Sequence, residues 1–133
     1  MKYNFLLKFQ WGKVRDMIYK NSVNKVILVG HVGQKPELKY TTTGHPVATL
    51  SLATNEIKLD SEKNKSEHVE WHHLVAWNKL AEFIKEYVVK GQLLYIEGRI
   101  HSQTWVDKNN IRQRKIEIIC DVVTPLEWKK DQK

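Results

Sequence analysis

HVEWHHLVAWNKLAEFIKEYVVKGQLLYIEGRI, residues 68–100, decides the fold because its hydrophobic period changes twice. His68 to Trp77 alternates with the two-residue period of a strand. From Lys79 to Lys90, the residues Leu80, Phe83, Ile84, Tyr87 and Val88 recur at helical spacing. Asn78 is placed to cap the start of that helix and Gly91 to stop it. Strand character then returns from Gln92 to Trp105. The segment therefore reads as strand, helix, strand, and this is the one convincing helix in the body of the chain.

Working outward, residues 23–32 (VNKVILVGHV) are β-branched and glycine-punctuated, which predicts a strand broken by Gly33 and Pro36. Lys39 to Thr42 suits a short strand, and Gly44 to Pro46 a turn. Val47 to Glu56 is a second long strand. Lys58 to Glu67 is almost wholly polar and is expected to be a solvated loop. Beyond Trp105, Asp107 to Asn110 suits a tight turn, Ile111 to Val123 a last strand, and Pro125 closes the body. No internal repeat is present. Five long strands with one helix between strands 3 and 4 predict an all-β chain with the five-stranded Greek-key barrel of the OB-fold. A doubly wound α/β sheet would need a helix after nearly every strand, so it is excluded.

The chain has 133 residues, enough for one domain with short extensions. Its apolar runs, such as Val26 to Val29, are too short for a membrane-spanning helix. A single cysteine, Cys120, excludes an internal disulfide and a four-thiolate zinc site. The formal net charge is +7, but its distribution matters more than its size. Residues 1–22 carry Lys2, Lys8, Lys13, Arg15 and Lys20 against Asp16, and residues 129–133 carry three lysines against Asp131. The body, residues 23–128, is left with only +1. Function must be read from the pattern of the body rather than from its charge.

Alternation sorts the aromatic residues. On the third long strand Trp71, His73, Val75 and Trp77 share one face, with His72, Leu74 and Ala76 on the other. On the fourth, Arg99, His101, Gln103 and Trp105 share a face. Indoles among cationic and hydrogen-bonding neighbours can stack on any base without reading sequence, while lysine and arginine neutralise phosphates. Taken singly, a strand tryptophan is more often core. Three on polar-lined faces of one barrel point to a ligand, whereas Trp11 and Trp128 lie outside the body and carry no such expectation.

Other chemistries find little support. His68 and His72 share a face but stand about 13 Å apart on a strand, too far for one zinc ion. His73, His101 and Cys120 add no ligand spacing, so no metal and no cofactor are expected. Glu56, Asp60 and Glu62 flank the polar loop and are read as solvation rather than a magnesium site. No G-x-S-x-G, phosphate-binding glycine loop or HExxH pattern occurs, so no enzyme is expected.

The segments SVNKVILVGHVGQKPELKY, PVATLSLATNE, EWHHLVAWNKLAEF and YVVKGQLLYIEGRI, with Trp105-Val106-Asp107, resemble the single-stranded DNA-binding (SSB) family of bacteria and mitochondria. The resemblance runs from Val23 to Leu126, with segment order and spacing preserved. It implies an OB-fold, a homotetramer, and single-stranded DNA wrapped over several subunits during replication, recombination and repair. By position, Trp71, Trp77 and Trp105 match stacking residues. Lys25, Lys39, Lys79 and Lys90 match basic positions, and Arg99 and His101 are further polar contacts. His72 matches a histidine of the subunit interface. The first strand, apolar on both faces, leaves Ile27 and Val29 needing cover from a second copy once Val26 and Leu28 fill the barrel.

Three departures stand out. Ile57 and Lys58 occupy a stretch where the family commonly has an aromatic, so one stacking platform is lost, with Lys58 offering a phosphate contact instead. His101, Gln103 and Thr104 fill positions that are usually basic. The acidic-hydrophobic tip that recruits replication and repair proteins in most bacterial members is absent from the basic tail, residues 127–133. Residues 1–22 read either as a basic leader or as a start placed too early, with Met17 the alternative. The expected location is the bacterial cytoplasm and nucleoid, with the mitochondrial matrix as the alternative if residues 1–22 are an import leader. No membrane partner is expected. A primosome-type or RNA-binding OB module is the competing binding function, and a metal-dependent nuclease the competing enzyme.

Overall fold

The computed structural model describes residues 20–128. The expectations for residues 1–19 and 129–133, including the basic leader, Met17, Trp11 and the terminal lysines, lie outside the described residues. In chain order the elements are β1 (Val26–Val32), β2 (Glu37–Tyr40), β3 (Pro46–Leu59), β4 (Lys65–Trp77), α1 (Asn78–Tyr87), β5 (Leu93–Val106) and β6 (Arg112–Pro125). The sheet order is β1-β5-β6-β4-β3-β2, and β1 also pairs with β3. That extra pairing, His31 with Ala53 and Val32 with Leu52, closes β1, β3, β4, β6 and β5 into a five-stranded barrel, with β2 added on the outside of β3.

Closure needs one strand to pair on both sides along its length. β1 does this, leaving β5 after His31–Leu93 and turning to β3 at Gly30 to Val32. A Cβ on Gly30 would collide with the backbone of Ala53, so the crossing is open only to glycine. β4 and β6 run parallel, Leu74 beside Ile118 and Val75 beside Ile119, whereas every other pair is antiparallel.

The core follows the alternation of the strands. Ala48, Leu50 and Leu52 of β3, Leu74 and Ala76 of β4, and Leu94 and Ile96 of β5 point inward. The apolar stripe of α1, chiefly Ala81 and Ile84, closes one end of the barrel. Buried Gln92 ties the end of β6 to the turn after α1. Its Oε1 accepts from the Val89 amide at 3.0 Å, and its Nε2 donates to the Glu127 carbonyl at 2.8 Å.

Two local expectations are corrected. Residues 58–67 are not a loop: β3 and β4 continue as a hairpin, with Ile57 opposite Glu67 and Leu59 opposite Lys65. The arm projects beyond the barrel with both faces exposed, so the ladder of backbone hydrogen bonds holds it without apolar alternation. Asp60 organises its turn, Oδ1 accepting from the amides of Glu62 (2.9 Å) and Asn64 (2.8 Å), with Lys63 in the left-handed region. Asp107 repeats the device in the β5–β6 turn, accepting from Asn109 and Ile111 at 2.9 Å each, with Asn110 left-handed. The Asn64 and Glu62 amides hold the Asp60 carboxyl below its usual range, and Gln113, whose Nε2 donates to Oδ2 at 3.0 Å, does the same for Asp107 together with the Ile111 and Asn109 amides.

The helix is also shorter than its periodicity suggests. Trp77, in extended conformation, occupies the cap position, and no side chain caps the first turn. Asn78 has a positive φ, and its Oδ1 lies 3.2 Å from Nδ1 of His45. At the far end Val88 leaves the helix in extended conformation to enter the core, and Gly91 supplies the left-handed residue of the following turn. Packing of Val88 ends the helix a turn before glycine would.

Candidate nucleic-acid interface

β4 carries two of the three selected indoles outward. Register places Val47 opposite Trp77, Thr49 opposite Val75, Ser51 opposite His73 and Ala53 opposite Trp71. Trp71 and Trp77 are 54% and 43% exposed, although Leu74 and Ala76 between them are core. Trp71 is held from below, since a Cβ on Gly33 would run into its indole and the Ser51 hydroxyl. The ring therefore lies close against Gly33 while the residue stays half open. On β5, Trp105 lies near the end of the β5–β6 arm, opposite Gln113, and is 44% exposed. None of the three has an aromatic partner among the described residues. The ring contacts instead join Phe83 to Tyr87 (5.1 Å between centroids) and Tyr87 to Trp128 (6.0 Å, edge-on) at the far end of α1.

The cationic residues divide. Lys25 reaches Glu97 at 2.6 Å, and Arg99 lies 3.4 Å from Asp121. The Lys25 contact holds the Glu97 carboxyl low and raises the lysine, while burial pushes Asp121 up against the pull of Arg99 and Lys25. These two cations are neutralised on the outer side of β5 beside Ile27 and Val29, which are 59% and 49% exposed. Lys39, Lys58, Lys79 and Lys90 form no ion pair among the described residues. Lys39 lines an open groove beside His73 and Val75. Lys79 follows Trp77 at the start of α1, and Lys90 lies beyond its other end, roughly 15 Å along a helix of this length. His101 is exposed on β5 opposite Glu117.

One expected placement changes in detail, at Lys58, and His72 keeps the face expected of it. Lys58 alternates with Ile57, and it is Ile57, with Leu59 and Val69, that shares the side of Trp71. His72 lies on the inward side with Leu74 and Ala76, half-buried, its Nε2 2.9 Å from the Thr54 hydroxyl. The register also brings in residues not selected from the sequence. Lys115 of β6 and Lys35 of the loop before β2 line the same groove as Lys39 and His73, together with Glu37 and Glu117. Alternation along β6 places Gln113, Lys115 and Glu117 on the side of Trp105, but only the β4–β6 pairing brings that row beside β4. Among the described residues no group of three His, Cys, Asp or Glu side chains is placed to hold a metal ion. No helix there is long and apolar enough to cross a membrane.

A closed five-stranded barrel with one helix before the last two strands, carrying open indoles and lysines without ion pairs among the described residues on its outer surface, belongs to the OB-fold class of binding modules. The sequence profile of the Single-strand binding protein family matches residues 23–126, and the chain belongs to that family. Single-stranded DNA-binding protein 1 of Chlorobaculum tepidum is 43% identical over 99 residues, 74% of this chain and 61% of its own length. The single-stranded DNA-binding protein of Bacteroides thetaiotaomicron is 45% identical over 102 residues, 75% of this chain and 63% of its own. The chain thus spans less than two thirds of the curated relatives it matches. Among solved structures, a Plasmodium falciparum SSB complex with ssDNA aligns with a TM-score of 0.75 at 31% identity, covering 83% of this chain and all of that one. A deletion mutant of the single-stranded DNA binding protein from Thermus aquaticus aligns with a TM-score of 0.70 at 26% identity, over 79% of this chain and 51% of that one.

Proposed function

We propose that residues 23–126 bind single-stranded DNA without sequence preference and coat it during replication, recombination and repair. The observation that carries this reading is the exposure of Trp71, Trp77 and Trp105 on outward rows of β4 and β5, in a chain of this family. Stacking on an indole needs only a base with a π-face, which makes the binding sequence-tolerant. Lys39, Lys58, Lys79 and Lys90 are free for phosphates, and His101 adds a polar contact. Lys25 and Arg99 must first leave their carboxylate partners. The activity is binding, with no covalent step.

The assembly in this reading is a homotetramer. Ile27 and Val29 supply an apolar outer row on β1 that a second copy covers across a two-fold axis, and His72 lies at a further contact. The place of action is the bacterial cytoplasm and nucleoid, in keeping with the two bacterial relatives. Titrating the purified chain with oligo(dT) while following intrinsic tryptophan fluorescence tests the function. Saturable quenching is expected. An unchanged signal together with no shift in the anisotropy of a labelled oligo(dT) would reject it.

A further inference from the structure

We infer that the groove between β2, β4 and β6 is a phosphate site, and that Lys115 supplies from β6 the charge that β5 lacks beside Trp105. This rests on the single-stranded DNA reading above and names the path between two of its stacking platforms. On β5, the residues leading to Trp105 are His101, Ser102, Gln103 and Thr104, with no permanent cation among them. Their β6 partners are Glu117, Ile116, Lys115 and Arg114. The charge missing from one strand therefore stands directly across the ladder.

Register decides which of these cations is useful. Gln103 and Lys115 are paired residues, so their side chains project from the same side of the arm as Trp105. Arg114 pairs with Thr104 on the opposite side, where its Nη2 donates to the Ser102 hydroxyl at 3.1 Å. Lys115 is therefore the cation that the Trp105 side receives. The parallel pairing of β6 with β4 sets the same row next to Val75 and His73. There Lys115 meets Lys35 and Lys39 along one groove, three lysines from three separate elements.

None of these lysines is ion-paired among the described residues, in contrast to Lys25 and Arg99. Glu37 and Glu117 also line the groove, so its net charge is only +1 with His73 neutral. Such a site favours a backbone passing along the lysines over a compact polyanion. The groove is open, runs over His73 and Val75 in the β4 row that carries Trp71 and Trp77, and reaches the β6 row that pairs with the arm bearing Trp105. A strand stacked at both ends would lay its intervening phosphates there.

The test is the salt dependence of oligo(dT) binding in Lys115→Gln, with anisotropy of the labelled oligomer as readout. Losing one phosphate contact should make the slope of log K against log salt shallower by about 0.7, the single-strand value per contact. Saturating tryptophan quenching should be unchanged, because the indoles remain. Adding Gln103→Lys to Lys115→Gln should restore the slope, since the charge returns to the same side of the ladder. Adding Thr104→Lys instead should not. A parental slope in Lys115→Gln, or equal rescue by either added lysine, would overturn the inference while leaving single-stranded DNA binding intact. Absence of oligo(dT) binding by the parent would overturn both.

Discussion

The outer surfaces of β1–β5 and of β4–β6 carry similar inventories of apolar and charged side chains, yet they are wired differently. On β1–β5, Lys25 is matched to Glu97 and Arg99 to Asp121, next to the exposed aliphatic pair Ile27 and Val29. On β4–β6, the exposed groups include the indoles Trp71 and Trp77 beside aliphatic Val69, and among the described residues Lys35, Lys39 and Lys115 of the adjoining groove have no carboxylate partner within ion-pair reach. Charges satisfied within the chain leave a surface that gains from meeting apolar surface of its own kind. Unsatisfied charges beside flat rings leave one that gains from a polyanion carrying bases. In the proposed reading, the same fold separates self-association from ligand binding by deciding where counter-charges sit.

The sharpest way to break this division is to charge the aliphatic pair. Ile27→Asp with Val29→Asp should reduce the mass seen by light scattering from about four protomers towards one, since each carboxylate would have to be buried against its symmetry mate. Quenching by a short oligo(dT) should survive. A variant that keeps the parental mass would show that β1 is not the assembly surface.

On the other surface, Trp71→Ala should weaken oligo(dT) binding by about 1–3 kcal/mol, the usual worth of one stacked base. Parental affinity in fluorescence or anisotropy titrations would return Trp71 to a purely structural role over Gly33. A smaller contrast separates free from paired cations. Lys39→Gln should flatten the salt dependence by about 0.7, whereas Lys25→Gln should leave it close to the parental slope. Equal effects would mean that the Lys25–Glu97 pair opens when the strand binds.

The smallest effect concerns the core beneath both surfaces. Burial pushes the Cys120 thiol from its usual 9.0 up to about 12. The folded chain keeps this proton where the unfolded chain has lost it, so folding is penalised as pH rises beyond about 9. Raising the pH from about 7.5 to about 10 should lower the melting temperature of the parent more than that of Cys120→Ala. Equal losses would show that the thiol is hydrated in the folded state.

Much of this was written in local pattern. The alternation from Trp71 to Trp77 already separates the outward indoles from Leu74 and Ala76, because a strand has only two sides. The change of period at Asn78 and again after Gly91 announces the helix of the body, and the order of elements selects the barrel. The β5–β6 arm was legible to within a residue or two, with its turn at Asp107 to Asn110, but the extent of the β3–β4 arm was not. The stretch from Lys58 to Glu67 has no apolar period, since neither face of that hairpin is buried, and its ladder is made of backbone groups that composition does not reveal. The helix end was misplaced for a related reason: Val88 fits a helical stripe, but the core reaches it in extended form.

By itself, the sequence determined which residues face outward on each strand, where the helix of the body lies, and that the body carries little net charge. Only the tertiary structure decided which strands became neighbours, and so which charges met. Lys25 and Glu97 are 72 residues apart and are paired, while Lys39 and Lys115 come together in one groove with no ion-pair partner among the described residues. Side-chain direction is set by the two-residue period of the chain, a local property. Counter-charge is set by strand order and register, which exist only once the barrel has closed.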